Sequence, residues 1–422
     1  MKSLASQLQN LGLADEKAAK DDNTVSWDFD ISATPLQRLK NGVCITDDDR
    51  RNLLDSAVKA DIKADDLYKA LCDRTTQLAQ EVVKVDFSWR LRVAGFRGFQ
   101  ELLLPVFHPI YGIPYIPASS LKGMLRTWAS KTLPASEQKE AERLLGYLKG
   151  EQASLAAVQI LDAFPMQHCL SLDIANAQWH WDASSNQFKY GPVPHIMLSL
   201  LRPQFKIGLQ KTCTGKVADV STCRRWLEQA LQSEGVGGRT SNGYGRTKRI
   251  YKPSKKSLPT QLNQRYKRSE HLFELWTEGV HGINPKDHEM RPAALRGTLR
   301  YWFRAITLGL YSPSIARHLE GEFFGSIDSD SPKEGYIRLA FKLSESPQKT
   351  HSQSPFHEEG QIVLESKNEK ALEIAKQLLT LSTHLGSIGR GARRPLHWNK
   401  PRLRGGYLQL LNKDDILGCN AD

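Results

Sequence analysis

The 422-residue chain contains no apolar run approaching 18 residues, so no membrane-spanning helix is expected. Its opening stretch, MKSLASQLQNLGLADEKAAKDD, lacks the apolar centre of a signal peptide, which points to the cytoplasm and to no membrane partner. Only six cysteines occur, Cys44, Cys72, Cys169, Cys213, Cys223 and Cys419. They form no C-x-x-C pair and have no histidine at finger spacing, which argues against a disulfide framework and against structural zinc. The twelve histidines give no H-E-x-x-H or similar pair, so no metal and no cofactor are expected. The glycine-dense stretch 235–246 lacks the G-K-[ST] of a P-loop, and its G-x-G spacing does not open a dinucleotide fold.

Acidic residues are missing in particular places. The chain carries 58 Lys and Arg against 46 Asp and Glu, a formal charge of +12. Residues 1–86 hold 16 acidic and 12 basic side chains, a balance of −4, so residues 87–422 carry +16. Residues 236–269 contain ten Lys or Arg and no acid, and residues 385–410 contain six and no acid. Cations interleaved with Gly, Tyr and Trp suit a polyanion: Lys and Arg neutralise phosphates, and glycines let the backbone come close. For Lys252–Lys256 a solvated linker is the simpler reading.

With 40% apolar and 25% charged residues the composition is that of a globular protein, and the length suits two or three domains of roughly 100–200 residues. Residues 1–84 read as a helical N-terminal extension, with acidic and lysine-rich turns such as TDDDRR between apolar periodic segments. From Val85 the pattern changes to short alternating segments (VDFSWRLRV, SLDIANAQWHW, QFKIGLQ) mixed with helical stretches, an α+β module over 85–251. A basic linker, 252–270, leads to a second α+β module, 271–422.

An internal repeat supports that division. Residues 121–128 (LKGMLRTW) and 295–302 (LRGTLRYW) share L-[KR]-G-x-L-R-x-W, and each is followed about a hundred residues later by a Gly/Arg loop, GVGGRTSNGYGR and GSIGRGARR. On a helix the Leu, Leu and Trp form one apolar stripe, while the basic residues form a neighbouring one. The second copy extends the basic row to Arg296, Arg300 and Arg304, and cations this close are unfavourable unless an anion shares them. Ser119 or Ser120 can cap the first helix after Pro117, beside Lys122, leaving free amides for a phosphate. In the first loop Arg239, Ser241, Tyr244 and Arg246 supply donors and a stacking ring. Solvated cations on a capped helix, and a hairpin turn for the loop, are the competing readings.

On these motifs the first half resembles the RAMP superfamily (repeat-associated mysterious proteins) of type III CRISPR effector complexes. Pro114–Arg126 matches P-Y-I-P-x-S-S-L-K-G-x-L-R and Gly235–Gly245 matches the G-[IV]-G-x-[KR]-T-x-x-G-Y-G loop. The segments LDAFPMQHCLSLDIANAQW and FKYGPVPHIMLSLL are similar to the sixth subunit of the type III-B Cmr complex. RPAALRGTLRYWFRA, EFFGS and SIGRGARR are similar to the first Cmr subunit, so the chain reads as a fusion.

The resemblance implies two ferredoxin-like (RRM-like) domains in tandem that hold CRISPR guide RNA by its backbone. Together they would form a capping subunit that binds the 3′ part of the guide, engages target RNA and contacts other RAMP subunits. Ser119, Ser120, Lys122, Arg126, Gly237, Gly238, Arg239, Ser241, Tyr244 and Arg246 would then touch RNA in the first half. Arg291, Arg296, Arg300, Arg304, Arg390, Arg393 and Arg394 would do so in the second. The backbone subunits of such complexes cleave RNA with an Asp placed before the first helix, but the corresponding stretch here, 94–103, offers only Glu101, and the second half offers Asp287 and Glu289. No catalytic residue is therefore expected. The alternative is a RAMP endoribonuclease that processes guide or cleaves target, with His108 beside Tyr111 and Tyr115 as a general acid–base set.

Overall fold

Thr46 opens the first long helix with a reciprocal cap: its hydroxyl accepts the Asp49 amide at 3.1 Å, and the Asp49 carboxylate accepts the Thr46 amide at 2.9 Å. The acidic run Asp47–Asp49 therefore lies in the first helical turn, where negative charge opposes the positive end of the dipole. TDDDRR is thus a helix start and not a turn between helices. The computed structural model describes residues 33–41, 46–93, 104–149, 152–248, 266–284, 288–326, 333–343, 356–399 and 402–411. The linker stretch 249–265 lies outside them, as does the motif-free stretch 1–32.

The described residues begin with three helices: α1 (Pro35–Asn41), α2 (Asp47–Ile62) and α3 (Asp65–Leu78). They are built into the first half. Leu39, Leu53, Leu54 and Ala57 pack with Leu104, Leu170 and Leu198, and the buried Asp61 carboxylate accepts the amides of Cys169 and Leu170, each at 2.8 Å. The strands β1 (Glu81–Asp86) and β2 (Arg90–Leu91) follow, then helices α4 (Ala118–Thr132) and α5 (Ala135–Leu145). After them come β3 (Tyr147–Lys149), β4 (Gln152–Ser154), β5 (Val158–Ile160), β6 (Phe164–Pro165), β7 (Leu170–Asp182), β8 (Gln187–Leu201), β9 (Gln204–Lys211) and α6 (Val217–Ser233). β1 turns Val83 and Val85 inward and Lys84 and Asp86 outward, the period of a half-buried strand.

The antiparallel order is β1–β9–β5, with β6 also on β9, and a bridge from Phe87 to Thr247 extends the sheet beyond β1. Leu121, Leu125 and Trp128 of α4 are fully buried against this sheet and against Trp226 and Leu227 of α6. The repeat's apolar stripe is core, as its spacing requires.

The second half runs β10 (Lys267–Thr277), α7 (Pro292–Leu310), α8 (Pro313–Phe324), β11 (Ile337–Leu343), β12 (Phe356–Ser366), α9 (Glu369–His384), a short hairpin β13 (His397–Asn399) and β14 (Arg402–Arg404), and β15 (Gly406–Leu410). Its antiparallel sheet is ordered β11–β12–β10–β15, and Leu295 and Leu299 of α7 enter its core. The fold is mixed α+β with antiparallel sheets. In the second half a strand, a helical layer, two strands and a helix succeed one another; in the first, β1, the helices α4 and α5, the main-sheet strands β5 and β9, and α6 follow the same order with further short strands and the β7–β8 hairpin between them. In both, the first strand (β1, β10) pairs with the last strand before the following helix (β9, β12).

Candidate nucleic-acid interface

The loop 235–246 leaves α6 and folds back on the segment after β2. Gly238 donates its amide to the Arg92 carbonyl at 2.8 Å, and Gly245 donates to Arg90 at 2.7 Å. Gly237 sits at φ +80°, and a Cβ there would lie 2.4 Å from the Arg92 carbonyl oxygen. The glycine is needed for backbone to meet backbone. Gly389 of the second loop repeats the arrangement at φ +98°, with a Cβ position 2.6 Å from the Gly279 carbonyl oxygen. The repeated loops therefore share a docking geometry, each seated on the segment that follows the first strands of its own half.

Most of the cations that the motifs single out are held by the protein itself. Tyr244 is 2% exposed, donates its hydroxyl to Asp173 at 2.7 Å and packs its ring on Trp89, so it offers no free face to a base. Arg246 is buried, pairs with Glu365 of the second half at 2.7 Å and donates to the Ser233 carbonyl at 3.0 Å. Arg291 donates to Asp173 and to the Ile174 carbonyl, both at 2.8 Å. Arg296 reaches the carbonyls of Ser241 at 2.9 Å, Ile337 at 3.3 Å and Phe324, and burial together with nearby Arg300 lowers its pKa to about 9. Ser241 thus serves through its carbonyl. The anion shared along the basic row of α7 is Glu320 of α8, paired with both Arg300 and Arg304.

In α4, Arg126 donates to the carbonyls of Leu145 (2.9 Å) and Gly146 (2.8 Å), finishing α5. The cap position is Pro117, with Ser119 and Ser120 inside the first turn, and the Ala118 amide donates to the Asp162 carboxylate at 2.7 Å. A protein carboxylate occupies the place expected for a phosphate.

The two halves meet through a network with no sequence signal. Arg90 donates through Nε (2.6 Å) and Nη2 (2.8 Å) to Glu289, 199 positions away, and through Nη1 to Ser199 at 2.8 Å. Asp173 collects Ser199, Tyr244, Arg291 and its neighbour's amide. Arg90, Arg291 and Asp173 are buried, with Glu289 half-buried beside them, so the charges balance where water is scarce.

What remains open is smaller. Arg239 is exposed, holds a left-handed φ of +61° and extends Nη1 to 3.6 Å from the Met197 sulfur. Beside it stands Arg92, half-buried, whose Nε is buried without a hydrogen-bond partner; burial, then the charge of Arg239, pulls its pKa down. Neither forms an ion pair with a carboxylate among the described residues. Lys122 is half-buried, and burial and Arg126 pull it down too. In the second loop Arg390, Arg393 and Arg394 are exposed: Arg390 lies 3.5 Å from Glu278, and Arg393 sits over the Tyr301 ring. The motifs do not include Arg92; its one signal in the sequence is the alternation in WRLRV, which puts it on one face with Arg90.

The acid–base candidates have structural partners. Glu289 accepts Trp89 Nε1 at 2.8 Å besides Arg90, and His108 Nδ1 faces the amides of Ile110 (3.2 Å) and Tyr111 (3.3 Å), its ring stacked on Tyr111. Burial holds the His108 pKa below the usual imidazole value. Asp287 and Glu101 lie outside the described residues. Among the described residues no group of three or more His, Cys, Asp and Glu could hold a metal ion, and no helix is long and apolar enough to cross a membrane.

Residues 90–248 match the RAMP superfamily. No curated protein matches the chain. Among solved structures, a chain of the type III-B Cmr-beta complex bound to cognate target RNA is 20% identical, with 60% of this chain and 88% of that one covered and a TM-score of 0.36. Cmr6 from Pyrococcus furiosus is 20% identical over 40% of this chain and 95% of its own, TM-score 0.24. A type IV-B CRISPR complex chain is 14% identical over 43% and 95%, TM-score 0.28.

Proposed function

We propose that this chain, whose residues 90–248 are a RAMP-superfamily domain, is a non-catalytic RNA-binding subunit of a type III CRISPR effector complex. In this reading it caps the assembly, holds the 3′ part of the guide RNA, helps engage target RNA and contacts other RAMP subunits. It is built from two RAMP modules, about 85–251 and 271–422, joined by a basic linker, and the first strand of each, β1 (Glu81–Asp86) and β10 (Lys267–Thr277), begins four residues before those bounds. The β11–β12–β10–β15 order over a strand–helix–strand–strand–helix–strand succession supports a ferredoxin-like second module. In the first module β1, α4–α5, β5, β9 and α6 follow that order among additional strands, with the last strand reduced to the Phe87–Thr247 bridge.

The observation that carries the reading is Arg92 beside Arg239 on the glycine loop, with no described carboxylate paired to either. Like charges held together raise each other's energy, and a phosphate between them removes that cost. Glu289 and His108 are committed to structural bonds, which favours binding over cleavage. Affinity purification of the full-length chain from its host with RNA sequencing tests the proposal: CRISPR RNA and sister RAMP subunits should co-purify. Recovery without either contradicts it.

A further inference from the structure

The β7–β8 hairpin of the first half and helix α7 of the second enclose a cleft of about 390 Å³. Its walls are mainly rings and aliphatic carbon: Trp179, Phe188, Tyr301, Leu308 and the flat guanidinium of Arg304. Arg304 lies 4.4 Å above the Phe188 ring and 5.4 Å from that of Trp179, with its charge balanced by Glu320. It is a rigid planar wall and not a phosphate ligand.

Tyr301 joins this cleft to the basic loop. The ring that lines the cleft also carries Arg393, 5.0 Å from its centroid, and exposed Arg394 follows in the chain. Neither arginine has an ion pair among the described residues. A ring-lined cleft with cations at its edge asks for a ligand that is planar at one end and anionic at the other. A peptide side chain would use the rings and ignore the arginines; inorganic phosphate would do the reverse. The volume lies near the lower end of the range for ligand pockets, about 300–1,000 Å³, which suits one nucleotide.

We infer that this cleft takes a single unpaired base of the bound RNA, with the adjoining phosphate at Arg393. The inference rests on the RNA-binding reading and deepens it. Stacking on protein rings tolerates any base, so the cleft secures a strand end without reading its sequence.

The test uses the full-length chain and a single-stranded oligouridine carrying one 4-thiouridine. Irradiation followed by mass spectrometry should place the crosslink on Trp179, Phe188 or Tyr301. Trp179→Ala removes a wall. Leu308→Trp, at an exposed position of the lining, fills the cleft and leaves the rings of Trp179, Phe188 and Tyr301 in place. Each should abolish the crosslink and weaken binding about tenfold, as loss of one stacked base does, with the salt dependence unchanged. An abasic oligonucleotide should bind wild type and Leu308→Trp equally. Crosslinks elsewhere, or wild-type affinity in Leu308→Trp, overturn the cleft while RNA binding by the wild type leaves the broader reading intact. A wild-type protein that binds no RNA overturns both.

Discussion

Arg246 and Glu365 form an ion pair at 2.7 Å with only 6% and 4% of their side chains exposed, the first on the glycine loop of one half and the second on β12 of the other. The guanidinium also holds the Ser233 carbonyl at the end of α6, while Arg338 from β11 donates to the Glu234 carbonyl at 2.5 Å. Two arginines thus close the negative end of one helix, one of them from the other half. A loop that resembles an RNA-binding motif is used on this side to join the protein to itself.

The first prediction separates folding from binding. Arg246→Ala leaves Glu365 buried with Arg268 as its remaining ion pair, and breaking a buried pair costs about 3–5 kcal/mol. Arg239→Ala, at an exposed position, should change stability by less than about 0.5 kcal/mol. Urea denaturation of both variants checks this; equal stabilities would show that the pair does not hold the halves.

A second contrast lies within the loop. Gly237→Ala drives a Cβ to within 2.4 Å of the Arg92 carbonyl oxygen at a positive φ, whereas at Gly238 the nearest atom is 3.8 Å away and φ lies outside the left-handed region. Gly237→Ala should lower the thermal midpoint and displace Arg92, and Gly238→Ala should do neither. Thermal melts decide it; equal tolerance would remove the packing role assigned to Gly237.

Glu358 of β12 supplies a pH test. Burial pushes its carboxyl up to about 7, with Arg202 opposing and Glu359 adding to the rise. A carboxyl whose folded pKa lies above its unfolded value destabilises the fold progressively as pH rises from about 4.5 to 7, by about 3 kcal/mol at the top of that window. Glu358→Gln should therefore raise the melting temperature at pH 8 and change it little near pH 4.5. A constant gain across that range would contradict the shift.

Periodicity makes the core legible: Leu121, Leu125 and Trp128, spaced along one helical face, are buried as that spacing requires, and so are the alternating residues of β1. The basic stripes are legible as a physical problem but not in their solution. Arg300 and Arg304 do require an anion, and Glu320 from the next helix supplies it. A sequence shows how many cations share a face; it does not show which carboxylate the chain brings back to them. For the same reason Arg246 and Arg291 look like ligand-binding cations in the sequence, because their bonds to Glu365 and Asp173 each span more than a hundred positions.

The central claim, that the Arg92–Arg239 pair holds phosphate, is tested most directly by the salt dependence of binding to a single-stranded guide RNA. The slope of log affinity against log salt should shrink by about 0.7 for each phosphate no longer neutralised, so Arg239→Gln should flatten it by that amount and Arg92→Gln with Arg239→Gln by up to about twice as much. A slope identical to wild type in both variants would contradict the claim.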